Sequence, residues 1–453
     1  LGSGYRLPDD DPQAGRLRLS LEPDGMIGQA QGAAARRYRW VIFAMLSLCY
    51  VLVNFHRLCP AVLAVDLMND LSAGGMLAGL LSSTYFYAYA LMQLPAGALA
   101  DSWGPRKTMS LFFIIAAAGS LMLGMASTVS VAMIGRTLVG LGVGMVFVPT
   151  MKILTRWFHA REFSIMASVF LAMGGLGTLS AATPLVFLND RIGWRSTFWV
   201  VGFLTLALAV GVFTLVRNRP ADFGWSDPYP AMPGETQTQG RFFANARMVL
   251  TDLRFWPVAI WFFCNVGVFF AIGGLWGGPY LQQVYHMDEA QAGRILSTIA
   301  LGLVLGNPLF SVVAEHVVHR RKAVMVVTST VMVGLMGVFA MNTDGLSVPS
   351  LYVLFFLFSI FSNAVAGIGF TLNKELFPVA MAGTATGLVN LFPFAGGAFF
   401  QPVVGRILES FGLQNGMFTL SGYKAAFYFL WAASGIALLA CVCIRENRHG
   451  ESR

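Results

Sequence analysis

Charge is what this 453-residue sequence has least of: Asp, Glu, Lys and Arg together make up 11% of it. A water-soluble domain carries about a quarter. With 56% of residues hydrophobic and a mean hydropathy of +0.66, a soluble fold of this length could not hide its apolar surface. It needs a second apolar solvent, and a bilayer is one. Cysteine is sparse too. Cys49, Cys59, Cys264, Cys441 and Cys443 all fall in apolar runs, without His or Cys partners at metal-ligand spacing, so they read as buried thiols and no metal site is expected. No secretory signal peptide is expected, because the first apolar run is long enough to span. The formal charge of +8 comes without a basic stripe interleaved with aromatics, so nucleic acid is not an expected partner. Nor is there a nucleophile–base pairing, an HExxH or a phosphate-binding loop with Lys-Ser/Thr; an enzyme is not expected, and no cofactor either.

What the sequence has is long apolar runs. A span needs about 20 apolar residues at 1.5 Å rise each. Twelve runs qualify, near 40–65, 76–100, 108–127, 130–154, 163–187, 197–216, 256–280, 292–314, 323–341, 349–371, 380–405 and 423–444. The expected fold is an all-α membrane protein, twelve transmembrane helices in two pseudo-symmetric six-helix bundles, 38–216 and 255–445. A polar, Pro/Gly-rich linker at 217–254 separates them, a mobile polar tail covers 1–37, and a short tail covers 446–453. Lys and Arg orient the chain. With both termini in the cytoplasm, only Arg191, Arg195, Arg294, Arg406 and Lys424 fall outside, and Arg57 and Arg136 lie within spans. The expected location is a bacterial inner membrane, and the expected state a monomer.

An internal repeat supports two halves. Gly97-Ala-Leu-Ala-Asp101-Ser-Trp-Gly104-Pro-Arg106-Lys107 stands between spans two and three, and Ser311-Val-Val-Ala-Glu315-His-Val-Val-His-Arg320-Arg321-Lys322 between spans eight and nine. Each places an acid five residues before a basic pair, the kind of repeat transporters use to alternate access. The first copy resembles the loop signature of the major facilitator superfamily. Arg136-Thr-Leu-Val-Gly140-Leu-Gly142-Val-Gly144 and Gly193-Trp194-Arg195-Ser-Thr-Phe198 are similar to other patterns of that superfamily, and the resemblance runs from about Arg39 to Arg445. Physically the repeat reads as a gating latch, with Asp101, Arg106, Glu315 and Arg320 holding one face of the bundle shut by capping a helix or pairing charges. Glycines at 140 and 144, 302 and 306, and 383 and 387 have the spacing that lets helices approach closely.

A charge inside a membrane is costly and therefore a functional candidate. Arg57 on span one and Arg136 on span four lie about 7 and 9 Å outward of their span centres at 1.5 Å per residue. Two guanidinium groups at one level suit a carboxylate or phosphate. Asn54 shares a helical face with Arg57. The segment Asn54-Phe-His56-Arg57-Leu-Cys-Pro60 resembles the first span of the anion:cation symporters and organophosphate antiporters, which implies that Arg57 grips the anion. Those symporters usually have acids where His56 and Val143 stand here. No carboxylate lies deep in a span, so His56 is the candidate coupling group. Tyr85, Tyr89, Asn265, Trp276, Asn363 and Asn390 could bind the rest of a solute, or serve as interhelical glue. The expectation is a secondary active or facilitative carrier of a small organic anion, with a co-transported proton or sodium ion left open. A multidrug efflux antiporter and a transport-like sensor are the competing readings.

Overall fold

The computed structural model describes residues 23–225, 240–313, 321–362, 365–414 and 416–444. Nine helices among the described residues are long and apolar enough to cross a membrane. The other three expected spans, Gly75–Ser102, Ala160–Ser180 and Glu289–Val312, are also helical, with apolar runs diluted by Gly, Ser, Thr and Gln. The boundary drawn at residue 37 falls inside a helix, Pro23–Leu58, because the Ala-rich run before Arg36 favours helix and carries it toward the N-terminus. The linker likewise holds a helix, Gly240–Thr251. The tails at 1–22 and 445–453 lie outside the described residues.

Proline and glycine punctuate the spans. Span one breaks after Leu58 and resumes as Pro60–Asp70. Span four is Val129–Val143 followed by Phe147–Trp157, and span ten is Val348–Ser362 followed by Ala366–Glu375. Gly193, at φ 75°, turns the chain from span five into span six inside the run Thr183–Leu215. Just beyond it, Trp194 Nε1 and Arg195 Nη1 both donate to Asp70 Oδ2, at 2.8 and 2.5 Å, tying span six to the end of span one. These two donors hold the Asp70 carboxyl below its usual range. Span seven contains two π-helical turns, Phe262–Val266 and Ile272–Trp276. Such turns leave carbonyls without a normal helical donor.

The halves meet closely at the face opposite the termini. Spans one and seven touch there: a Cβ on Gly278 would stand 1.7 Å from the Ala61 carbonyl oxygen, so only glycine fits. Spans two and eleven pack from Gly75 and Gly405 inward, where Tyr87 Oη donates to the Ala398 carbonyl at 3.2 Å. Ala398 lies four residues before Pro402, whose missing N–H leaves that carbonyl free for a partner. Spans five and eight meet through Thr183 and Ser297, 2.9 Å apart. Gly97, Gly383 and Gly387 have nothing within 4 Å of a would-be Cβ. Gly383 and Gly387 therefore do not make the close helix contact expected of them, whereas Gly140 and Gly144 do, against Tyr85, Ala88 and Met92 of span two.

Candidate functional site

The center of the molecule is built on span one. Arg57 is nine-tenths buried, and its Nη1 donates to Asn54 Oδ1 at 3.2 Å, one turn earlier on the same face. Its Nε is buried without a hydrogen-bond partner. Three rings surround the guanidinium: Tyr89 at 4.9 Å, Phe394 at 5.1 Å and Phe270 at 5.9 Å from its carbon. Tyr89 comes from span two of the same half, Phe270 and Phe394 from spans seven and eleven of the other. Ring faces stabilise a desolvated cation by about 2 kcal/mol, yet they leave its Nε–H unused. A buried donor without an acceptor costs about 1–3 kcal/mol. An anion entering the site would supply that acceptor.

Arg136 does not join Arg57. Tyr85 and Tyr89, four residues apart on span two, stand between them: Arg136 lies over Tyr85 at 4.9 Å, the two tyrosine rings are 5.9 Å apart at 23°, and Arg57 lies over Tyr89. The Arg136 Nη1 donates to the backbone carbonyl of His56 at 2.8 Å. The reason lies four residues on. In an unbroken helix that carbonyl would accept from residue 60, but Pro60 has no N–H. Arg136 thus satisfies a carbonyl that proline frees. The expected pair of arginines is therefore separated: Arg57 lies among rings of both halves, and Arg136 is tied to span one through Nη1 while its Nε and Nη2 are buried without a partner. The His56 ring faces span six, its Nε2 3.4 Å from Thr205 Oγ1, while Nδ1 is buried without a partner. The coupling candidate thus turns away from Arg57.

In the second half, most of the expected polar groups are occupied by backbone. Asn265 Nδ2 donates to Ser362 O at 2.8 Å, closing the end of the broken span ten. Trp276 Nε1 donates to Gln401 O, and Gln401 Nε2 to Phe270 O beside the second π-helical turn, both at 2.9 Å. Asn390 Nδ2 reaches across the halves to Gln93 Oε1 at 3.4 Å, one helical turn from the Tyr89–Phe394 contact. Gln93 Nε2 is buried without a partner. Asn363 lies outside the described residues, as do the latch residues Glu315 and Arg320.

The first-half latch residues do not meet each other. Asp101 pairs with Lys152 of span four, which also donates to Ala100 O at 3.2 Å. Arg106 Nε donates to Phe213 O at 2.7 Å, and its backbone N–H to Asn218 Oδ1 at 2.9 Å, at the end of span six. The acid and the base brace two different neighbours because Gly104, at φ 83°, turns the chain between them. At the opposite face, one cluster had no sequence signal beyond an acid at the end of a span. Asn189 Nδ2 donates to Asp66 Oδ2 at 2.8 Å and to Glu289 Oε2 at 3.1 Å, joining spans one and five to span eight of the other half. Burial and the Asp66 carboxylate push the Glu289 carboxyl up to about 7.

The profile of the Major Facilitator Superfamily matches residues 44–399 and, in a second overlapping match, 263–453. The chain is similar to a probable hexose phosphate transport protein of Chlamydia pneumoniae, 22% identical with 89% of this chain and 90% of that protein covered. It is also similar to a probable sulfoacetate transporter of Cupriavidus necator, 23% identical over 85% and 90%, and to a probable galactarate/D-glucarate transporter of Escherichia coli, 22% identical over 88% and 94%. Among solved structures it resembles a bacterial homologue of the human lysosomal transporter Spinster, inward-facing and unoccupied, with TM-score 0.72, 18% identity, and 91% and 99% of the two chains covered.

Proposed function

The chain belongs to the Major Facilitator Superfamily, and on that premise we propose that it carries a small organic anion (a carboxylate, a sugar acid or a phosphate ester) across the membrane by rocking its halves about a central site. The observation that carries this reading is the Arg57 guanidinium: buried between the halves, ringed by aromatics from both, and left with an unused N–H donor. The relatives named for hexose phosphate, sulfoacetate and galactarate/D-glucarate transport support the anionic class.

In this reading Arg57 grips the anion bidentately, Asn54 orients the guanidinium, and Tyr89, Asn390 and Gln93 line the approach. Arg136, Tyr85, Asn265 and Trp276 support the site by holding broken helices together. Asp101 with Lys152, and Arg106 with span six, brace the first half as a rigid body, so that opening and closing occur between halves. The termini face the cytoplasm of a bacterial inner membrane, following the Lys/Arg asymmetry, and the protein works as a monomer because its site is complete in one chain. A co-transported proton needs a titratable carrier. The Asp66–Glu289 pair at the interface of the halves is better placed for that than His56, which is turned into span six.

Counterflow in proteoliposomes tests the proposal. Preloaded organic anion should drive uptake of labelled anion, and Arg57→Ala should abolish it while the variant remains monodisperse with an unchanged melting temperature. Parental uptake in Arg57→Ala would remove the anion site from Arg57.

A further inference from the structure

We infer that the first half holds a second anion site, separate from Arg57: a chamber beside Arg136 that takes one small inorganic anion of the size of chloride. This goes beyond the carrier reading, because the ion resides in the half and is not the solute. The starting point is a charge without a counter-charge. Arg136 is 2% exposed, and among the described residues no Asp or Glu is fully buried. Its hydrogen bond from Nη1 goes to a neutral acceptor, the His56 carbonyl, and its Nε and Nη2 are buried without a partner. The Cys59 sulfur stands beside the guanidinium, but its thiol donates to the same carbonyl at 3.6 Å, and a thiol sulfur is a weak acceptor. A buried cation left in this state is costly, and an anion beside it removes the cost.

Space for that anion is present. Arg136 and Ser82 line a cavity of about 20 Å³. A single water needs about 10–15 Å³ by the same measure, so one water or one halide ion fits, and an organic anion with a carbon body does not. The Ser82 hydroxyl is itself buried without a partner. The remaining walls are hydrocarbon, from Pro60 and Leu67 of span one to Phe198 of span six. Leu275, in the second π-helical turn of span seven, is the one wall from the other half. Rocking of the halves would move it aside and give the ion its entry.

The lining chooses between water and an anion. Guanidinium only donates, and a hydroxyl carries one hydrogen that can turn toward an acceptor. A water accepting from Arg136 would have to place its own two hydrogens, and apart from Ser82 it would meet carbon. A halide ion has no hydrogens to place; it accepts from Arg136 and from Ser82 and balances the charge as well. The site is also insulated from Arg57. Arg136 lies over Tyr85 at 4.9 Å, Tyr85 and Tyr89 have their rings 5.9 Å apart, and Arg57 lies over Tyr89. An ion at Arg136 therefore leaves the solute site free.

The test melts the full chain in nanodiscs while chloride replaces methanesulfonate at constant ionic strength. The parental chain and Arg57→Gln are both measured, so that anions bound at the solute site cannot produce the result. Chloride in tenfold excess over its Kd should raise the melting temperature by about 2 °C in both, and the rise should saturate. Arg136→Met should abolish the rise. Ala64→Val adds two methyl groups to a wall of the cavity and leaves Arg136 in place, so it should abolish the rise as well. Each variant is compared with itself in the two salts, so a lower starting stability does not enter the comparison. No rise in the parental chain overturns the chamber and leaves the counterflow result at Arg57 standing. A rise that survives Arg136→Met, or that is lost in Arg57→Gln alone, also overturns it, because chloride would then be bound elsewhere.

Discussion

The two halves of this molecule share a fold and divide the chemistry. The first carries both deep cations, Arg57 and Arg136, and the buried imidazole of His56. The second buries amides, indoles and phenyl rings over the same depth, and among its described spans no charged side chain is fully buried. Both halves break their helices, but each repairs the break with what it has. In the first, a guanidinium accepts the task that Pro60 leaves undone at His56. In the second, Asn265 and Gln401 do it with neutral amides at the broken span ten and the π-turns of span seven. The lesson is that a buried charge is not by itself a substrate site. Of two arginines at similar depth, both keep buried donors to spare; Arg136 is tied through Nη1 to a carbonyl of span one, whereas Arg57 lies among rings from both halves.

That contrast can be broken at the arginines first. Arg57→Lys keeps the charge but loses the planar fork and its stacking on Tyr89 and Phe394, so uptake should fall by about tenfold or more, through a raised KM, with the melting temperature unchanged. Arg136→Met should do the reverse. It leaves the His56 carbonyl with only the weak Cys59 thiol as donor and lowers stability by about 1–2 kcal/mol, read from denaturation in detergent. Adding Pro60→Ala returns an N–H to that carbonyl, so the double variant should recover part of the loss. Additive losses would mean that Arg136 is not held by the proline break.

A pH experiment sharpens the comparison at the interface. Burial and Asp66 raise the Glu289 carboxyl above its ordinary value near 4.5, so the closed face binds the proton more tightly than an open, hydrated one. The closure is therefore most stable below the ordinary carboxylate value, loses stability as pH rises toward 7, and gains nothing back above it. Spin labels at Arg191→Cys and Leu413→Cys should report a wider separation at pH 8 than at pH 5, and Glu289→Gln should flatten that response. A distance that ignores pH in the parental chain would remove the carboxylate pair from gating. The smallest effect is expected in the second half. Asn265→Leu should cost about 1 kcal/mol of stability and leave KM for the anion in place, because its amide serves Ser362 and not the solute.

Much of this architecture is legible in the linear order of residues. Apolar runs of about 20 residues must become helices in a bilayer, since no other open structure satisfies their backbone there. Asp101 and Arg106 mark the turn between spans two and three, and Arg57 and Arg136 stand out because a charge in lipid is rare. The aromatic wall opposite it was not legible. Phe270 and Phe394 are two of 37 phenylalanines, and nothing local separates them from the rest.

The sequence by itself determined the bilayer, the helices, their halves and the two cations worth suspecting, Arg57 and Arg136, because hydropathy and charge act residue by residue. Only the tertiary structure decided which partner each polar group meets: Lys152 for Asp101, the His56 carbonyl for Arg136, and Asn189 holding Asp66 against Glu289. Hydrogen bonds are short and directional, and those partners lie between 51 and 123 positions apart in the chain, so their pairing follows from packing and from no local pattern.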